Sequence, residues 1–107
     1  MKIARNRDAK EYVMQQREFD GSNLYGRHNR KDTFYQYVVY SYDTPIYVYE
    51  GGEEFVNGTR YSVTTSKHMG NIGVWNRGTK LTGDEMKELV LLGVKQFKKV
   101  SVEKALA

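Results

Sequence analysis

The chain has 107 residues, including 17 lysines and arginines against 13 aspartates and glutamates, which gives a net charge of +4. This length predicts a single domain spanning residues 1–107, and the lack of cysteine excludes a disulfide framework, a redox motif and a thiolate metal site. We expect a cytoplasmic protein that does not enter membranes, because no apolar run approaches the roughly 18 residues of a membrane helix and the first residues lack the hydrophobic region of a signal peptide.

The first predicted element is a short helix from about Ala9 to Arg17. Asp8 followed three residues later by Glu11 resembles a capping box, which is a helix-start signal. Turn-forming residues at 20–23 end this helix. The polar and basic segment 24–32 that follows is predicted to be a loop.

Aromatic and β-branched residues predict two strands in the middle of the chain. The first runs from Thr33 to Tyr42 and is apolar or aromatic on both faces, so we expect a central strand that is at least partly covered on both sides. Residues 43–45 contain the single proline and predict a turn. The second strand is predicted at Ile46 to Glu50.

The Asn57-Gly58 pair is a strong short-range hairpin signal, because both positions of a type I′ turn require positive φ. It predicts that 53–56 and 59–63 pair as two strands. The hydroxyl-rich run 64–66 then offers several helix caps, which favours a short helix or turn from Lys67 to about Trp75.

The last helix is well marked in the sequence. A loop at 76–80 leads to Thr82 and Glu85, which have the spacing of a capping box. Apolar residues then recur at helical spacing over 83–100. The tail 101–107 either extends this helix or frays.

This order of elements predicts an α+β fold. We expect a small antiparallel β-meander sheet of about three to four strands, flanked by an N-terminal helix and a longer C-terminal helix. The helices are expected on one face of the sheet.

Candidate catalytic and metal-binding patterns are sparse. The two histidines, His28 and His68, lie 40 positions apart without the spacing of metal ligands. Ser62 and Ser66 lie near His68, but no nucleophile-elbow pattern or neighbouring carboxylate accompanies them. Glycine-rich phosphate loops are also missing. The sequence therefore predicts no enzyme, no metal site and no cofactor.

The segment from Phe55 to Gly83 carries the whole net positive charge. It contains no acidic residue, and the rest of the chain has equal numbers of each sign. The four basic residues are Arg60, Lys67, Arg77 and Lys80. Within it, the run 64–68 combines three hydroxyls, an ammonium and an imidazole, which beside the free N–H groups of a helix start suits a phosphate or carboxylate. The alternative is that these hydroxyls act as helix caps alone.

Six of the nine tyrosines lie between Tyr35 and Tyr49. Tyrosines on one sheet face can stack bases or anchor a protein interface. They can equally form a half-buried face whose hydroxyls reach water. No aromatic motif of a sequence-reading RNA module is present.

Two segments of the chain, 38–46 and 57–68, follow the patterns V-x-S-Y-x-T-P-I and Y-S-x-T-T-S-x-H. Together they resemble a family of small proteins that is widespread in bacteriophages and prophages and whose function is unknown. In many relatives the chain ends soon after the histidine, so the helix at 83–100 is an addition here. The residues at the pattern positions are Ser41, Tyr42, Thr44, Pro45, Tyr61, Ser62, Thr64, Thr65, Ser66 and His68.

The resemblance implies a phage origin, and small phage proteins without enzyme motifs act by binding. We therefore expect a non-enzymatic phage accessory protein that inhibits a host defence system in the host cytoplasm. Its target is either a defence protein, as for anti-CRISPR proteins, or an anionic nucleotide signal. The predicted contact surface is Arg60, Tyr61, Thr64, Thr65, Ser66, Lys67 and His68, with Arg77 and Lys80 as electrostatic support.

The main alternative is a small basic nucleic-acid-binding protein. In that case exposed tyrosines would stack on bases, and cations would bind phosphates with a steep dependence on salt. The phosphate-binding residues would be Arg27, Arg30, Lys31, Arg60 and Lys67. A third, enzymatic hypothesis requires His68 to lie beside a nucleophile.

Overall fold

The computed structural model describes residues 1–59, 63–74 and 76–106. Its helices are a 3-10 helix at Asn6–Asp8, α1 at Ala9–Met14, α2 at Val63–Ile72 and α3 at Gly83–Leu106. The strands are β1 at Phe19–Asp20, β2 at Leu24–Arg30, β3 at Tyr35–Ser41, β4 at Thr44–Glu50, β5 at Glu53–Asn57 and β6 at Thr79–Leu81. None of the described helices is long and apolar enough to cross a membrane.

The described strands form one six-stranded sheet in the order β1-β2-β3-β4-β5-β6. The first five strands form an antiparallel meander, and β6 pairs parallel to β5 after the crossover through α2. The predicted α+β class is therefore confirmed. The sheet is larger than predicted, because β1 and β2 were not predicted as strands. It is mixed rather than antiparallel, because β6, which overlaps the end of the loop predicted at 76–80, pairs parallel to β5.

The segment predicted as a loop at 24–32 contains β2, which pairs along its whole length with β3. The polar residues of this segment made it resemble a loop in the sequence, but their side chains have partners in the fold. Arg27 donates to Asp20, and Asn29 Nδ2 donates to Gln36 Oε1 at 2.9 Å. Gly26 is required at its position, since a Cβ there would lie 2.5 Å from the Phe19 ring.

The hairpin predicted at Asn57-Gly58 is wrong, at least over the described residues. The turn that precedes β5 is Gly51-Gly52, with φ of 56° and 86° as a type I′ turn requires. Asn57 ends β5 instead. The side-chain Nδ2 of Asn57 donates to the Pro45 carbonyl at 3.1 Å, and its Oδ1 accepts from the backbone N–H of Thr59 at 2.9 Å. Val63 begins α2, earlier than predicted, and the rest of the predicted second strand, 60–62, and Trp75 lie outside the described residues.

Helices cover both faces of the sheet, where one covered face was predicted. The apolar cluster under α1 and α2 includes Val13, Tyr37, Val39, Tyr47 and Ile72. The cluster under α3 includes Val38, Val48, Phe55, Leu89 and Phe97. In the middle of β3, Tyr37, Val38 and Val39 alternate between these clusters and are at most 1% exposed, as expected for a central strand with both sides covered.

The two predicted capping boxes have different outcomes. At the start of α3, the Thr82 amide donates to Glu85 Oε1 at 2.9 Å and the Glu85 amide donates to Thr82 Oγ1 at 3.2 Å, which confirms the box. At the start of α1, Asp8 has helical backbone angles and makes no cap bond with its side chain among the described residues. That helix also ends at Met14, before the predicted Arg17.

α3 is broken at Gly93, which has φ of 80° and ψ of 164°. Lys104 Nζ lies 3.1 Å from Glu88 Oε2, although residues sixteen apart would be about 24 Å apart in a straight helix. The second part of the helix therefore folds back beside the first. The helical spacing over 83–100 predicted one continuous helix, and this prediction is wrong at Gly93.

A polar network satisfies the backbone groups that the break exposes. The Val94 amide donates to both Glu50 carboxylate oxygens, at 3.1 and 3.2 Å. On the other side of the break, the side-chain Nδ2 of Asn29 donates to the Val90 carbonyl and the side-chain Nε2 of Gln36 donates to the Leu89 carbonyl, each at 3.0 Å. The break thus connects α3 to three strands of the sheet.

Candidate functional site

A concave site of about 530 Å³ lies between the 3-10 helix, the turn before β2 and the exposed side of α2. We call it the cationic cleft. Among the residues that the structure describes, its lining contains three cations and no carboxylate. The lining residues are Arg5, Asn6, Arg7, Ser22, Asn23, Lys67, His68 and Asn71.

The fold of α2 brings Lys67 and His68 to the cleft. Met69 and Ile72 on this helix are buried in the apolar cluster beneath it, which fixes the orientation of the helix on the sheet. Lys67 is exposed at the rim, whereas His68 is 3% exposed at the base. The cleft therefore has an exposed ammonium group at its edge and a buried imidazole inside.

Asn6 holds the opposite wall of the cleft in place. Its Nδ2 donates to the Ser22 carbonyl at 3.0 Å, and its Oδ1 accepts from the Ser22 amide at 2.9 Å. This two-way clamp ties the 3-10 helix to the turn before β2. Arg5 and Arg7 flank the clamped residue in sequence, and both are exposed and line the cleft.

The three cations of the cleft are not neutralised within the described chain. The ion pairs found there involve other groups, and no hydrogen bond of the Arg5, Arg7 or Lys67 side chain is seen among described residues. Asp20, which lines an adjoining pocket with Arg5, is bonded to Arg27, and this hydrogen bond holds the pKa of Asp20 below its ordinary value. The cleft therefore has an uncompensated positive potential that suits an anion.

At the base of the cleft, Ser41 Oγ and His68 Nδ1 are 2.6 Å apart. The ring of Tyr42 lies beside the same imidazole, with centroids 6.1 Å apart. Ser41 is 1% exposed, so it orients the ring from below. Among the described residues, Nδ1 is the His68 ring nitrogen that is seen in a hydrogen bond. These contacts join the two segments, 38–46 and 57–68, on which the family resemblance rests.

The sequence was compared with known protein families, curated proteins and solved structures. The model of a family of unknown function, DUF8033, matches residues 3–88. The chain belongs to the DUF8033 family. No curated protein and no solved structure matches it. The matched region contains every lining residue of the cationic cleft and ends before the break at Gly93.

The sequence-predicted contact residues of this DUF8033 protein are only partly brought together. Lys67 and His68 line the cleft, and Ser66 is exposed beside them on α2. Thr64 and Thr65 belong to the first turn of α2 rather than to its cap; their side chains lie outside the described part, as do the residues Arg60 and Tyr61.

The two residues predicted as electrostatic support are placed elsewhere. Arg77 lies in the loop before β6 and forms an ion pair with Glu54 at 2.5 Å. Lys80 lies on the edge strand β6. Neither belongs to the described lining of the cleft. The segment 55–83 contains no carboxylate in sequence, but the fold brings Glu54 of β5 against Arg77 and neutralises this cation.

Arg5 and Arg7 are the functional candidates that sequence reasoning missed. They lie about 60 positions from Lys67 in the chain, and no local pattern indicates that the 3-10 helix packs against α2. Of the cations named for nucleic-acid binding, Lys67 lines the cleft and Arg60 lies outside the described residues. Two others are elsewhere: Arg27 donates to Asp20 and to two carbonyls, and the Arg30 guanidinium lies 5.2 Å from the Tyr35 ring centroid. Within residues 1–59, 63–74 and 76–106 no cluster of metal-binding side chains is found.

The buried position of His68 predicts a pH-dependent stability. Burial lowers the pKa of His68 below the value of about 6.5 that it has in the unfolded chain. As the pH falls below about 6.5, the unfolded chain takes up this proton before the folded one, so the free energy of unfolding decreases. Urea denaturation between about pH 7 and pH 5.5 measures the slope. His68→Gln should show a smaller slope, and equal slopes for both proteins would contradict the assignment.

Proposed function

We propose that this DUF8033 protein is a non-enzymatic binding protein whose cationic cleft captures a small phosphate-bearing anion of the nucleotide class. One observation carries the proposal: Arg5, Arg7 and Lys67 converge on a concave site that also offers amide donors and whose described lining holds no carboxylate. Guanidinium and ammonium groups are the side chains that bind phosphate oxygens most strongly. The volume of about 530 Å³ falls within the range of small-ligand sites.

We propose further that the biological role is the one expected from the resemblance to phage proteins, namely inhibition of a host defence system. A defence protein and an anionic nucleotide signal were both predicted as targets. The concave shape of the cleft favours the nucleotide, because a protein partner requires a broad contact surface of about 800 Å² on each side. In this proposal the protein holds the signal away from its receptor in the host cell.

The geometry around His68 favours binding over catalysis. Ser41 is the hydroxyl that contacts the imidazole, but at 1% exposure it cannot reach a substrate as a nucleophile. The described lining also offers no carboxylate to orient or activate a base. We therefore propose that a bound nucleotide leaves the cleft chemically unchanged, which analysis of the ligand after prolonged incubation would test.

Nucleic-acid binding is the competing function, and the positions of its cations weaken it. Arg27 is held by Asp20 and two backbone carbonyls, and Arg30 lies over a tyrosine ring. A polymer would need a row of free cations along its backbone. Arg5, Arg7 and Lys67, which form no ion pair with a described residue, instead line one cleft, which fits a compact anion.

Calorimetric titration distinguishes these functions. We expect pyrophosphate and nucleoside diphosphates to bind at one site per chain, with an affinity that falls modestly with salt. A single-stranded oligonucleotide should bind more weakly than a nucleoside diphosphate. The opposite ranking, with a salt dependence that corresponds to many released counterions, would establish the nucleic-acid alternative instead.

The cellular role has its own test. Co-expression with a nucleotide-signalled defence system should restore phage infection, and a variant that has lost pyrophosphate binding should not restore it. If that variant restored infection as well as the wild-type protein does, signal sequestration would be disproved.

A further inference from the structure

A second concave site of about 430 Å³ adjoins the sheet end where β3 turns into β4. We call it the tyrosine groove; its lining residues are Tyr25, Tyr40, Tyr42, Arg27 and Asp43. Tyr25 and Tyr40 are directly opposite each other on β2 and β3. Both are half-buried, which leaves part of each ring on the groove surface. The described floor of the groove is therefore largely aromatic.

Tyr42 has a strained backbone. It occupies the turn between β3 and β4 with φ of 56°, a region that a bulky side chain enters only at an energetic cost. Its ring is nevertheless 48% exposed. The two-residue turn between β3 and β4 accounts for this conformation, because such hairpin turns require positive φ at their first central residue. The turn places the exposed ring at the sheet end beside His68.

The tyrosine groove and the cationic cleft meet at Tyr42. The Tyr42 amide donates to the carbonyl of Asn23, a cleft residue, at 2.9 Å. The Tyr42 ring lies beside His68, whose imidazole lines the cleft. Tyr25 and Tyr40 lie on the α3 face of the sheet, and the cleft lies on the α2 face. Tyr42 at the sheet end lies between them, so a ligand with its anionic part in the cleft can extend to the Tyr42 ring.

We infer that Tyr42, at the edge of the tyrosine groove, forms a base-binding subsite, in which the aromatic base of the ligand stacks on the Tyr42 ring while its phosphates occupy the cationic cleft. This inference rests on the proposed function and extends it to the nucleobase. Tyrosine rings stack on bases of any sequence. The groove does not suit a second phosphate, because Asp43 lines it and Arg27 is already engaged by Asp20.

The test compares ligands with and without a base. Pyrophosphate is the base-free probe; the nucleotide probes are ADP, GDP, CDP, UDP and the cyclic dinucleotides of adenine and guanine. We expect at least one nucleotide to bind about tenfold or more tightly than pyrophosphate, consistent with the contribution of one stacked base. If no nucleotide in this set exceeds pyrophosphate, the base subsite is refuted while the phosphate site stands.

Tyr42→Gly isolates the ring, because glycine adopts φ of 56° without strain and the fold is retained. This variant should lose about tenfold to a hundredfold in nucleotide affinity and keep pyrophosphate affinity within about twofold. Tyr42→Phe, which keeps the stacking surface, should bind like wild type. Tyr35→Ala is the matched control, since it removes another exposed tyrosine, 47% exposed at the far end of β3.

Two outcomes separate the hypotheses. Equal loss of pyrophosphate and nucleotide affinity in Tyr42→Gly would show that the residue shapes the phosphate site, and the stacking subsite would be rejected. If neither pyrophosphate nor any nucleotide binds the wild-type protein, the proposed function fails, and the subsite fails with it.

Discussion

Replacing Arg5, Arg7 and Lys67 together by glutamine is expected to weaken the binding of pyrophosphate and nucleotides by about a hundredfold or more. Hydrogen bonds to charged groups contribute about 1.5–3 kcal/mol each. At this open site we expect the lower end or less, about 1 kcal/mol for each cation, which corresponds to about a hundredfold for the three together. Calorimetry on the variant and the wild type measures the loss.

A matched variant separates a local effect from one of net charge. Lys31, Lys87 and Lys99 are exposed and lie outside the cleft, so their replacement by glutamine removes the same charge elsewhere. This control should bind within about twofold of wild type, because solvent screens exposed charges beyond about 10 Å. All six positions are exposed, so both variants should unfold within about 0.5 kcal/mol of wild type. Equal losses of affinity in the two variants would mean that the cleft is not the site.

Gly93→Ala is expected to destabilise the fold by about 3 kcal/mol. With φ of 80° and ψ of 164°, Gly93 occupies a region that is almost restricted to glycine, which costs other residues about 1–3 kcal/mol. An added Cβ would also lie 2.6 Å from the Phe34 ring, and overpacking costs about 1–3 kcal/mol more. Urea denaturation measures the difference in the free energy of unfolding.

Gly70→Ala is the control, because the same change there should have the opposite sign. Gly70 lies within α2, and a Cβ at this position meets nothing within 4 Å. Alanine should therefore stabilise the protein by about 0.5–1 kcal/mol through helix propensity. A Gly93→Ala protein as stable as wild type would show that α3 is not broken at this residue.

Sequence reasoning succeeded where the decisive contacts are local. The capping box of Thr82 and Glu85 predicted the start of α3, because both bonds form within one turn. The aromatic and β-branched composition of β3 predicted a strand covered on both faces, because that composition reflects burial directly. These features depend on neighbours in sequence or on the residue's own hydrophobicity.

It failed where distant residues decide the local structure. Asn57-Gly58 has the residues of a hairpin turn, but Asn57 is the last residue of β5. Its side-chain Nδ2 donates to the carbonyl of Pro45 on the neighbouring strand. β2 looks like a loop because the partners of its polar side chains, such as Asp20 for Arg27, come from other elements. The break at Gly93 requires Glu50, Gln36 and Asn29, all more than 40 positions earlier in the chain.

The candidate site shows the same division. Lys67 and His68 were identified from an unusual local composition, and both line the cleft. Arg5 and Arg7 were missed, since their role depends on the Asn6 clamp to Ser22 and on the packing of the 3-10 helix against α2. Charge counts along a sequence show an excess of cations in one segment, but the fold decides which cations face one another.

The measurement that tests the central claim most directly is a titration of the labelled protein with pyrophosphate, followed by changes in its backbone amide NMR signals. A cleft that binds phosphate predicts that the largest changes fall on 5–7, 22–23 and 67–71, with smaller changes at Ser41 and Tyr42 beneath it. Changes concentrated at Arg30 and Lys31, or spread evenly over the exposed lysines, would contradict an anion site in the cationic cleft.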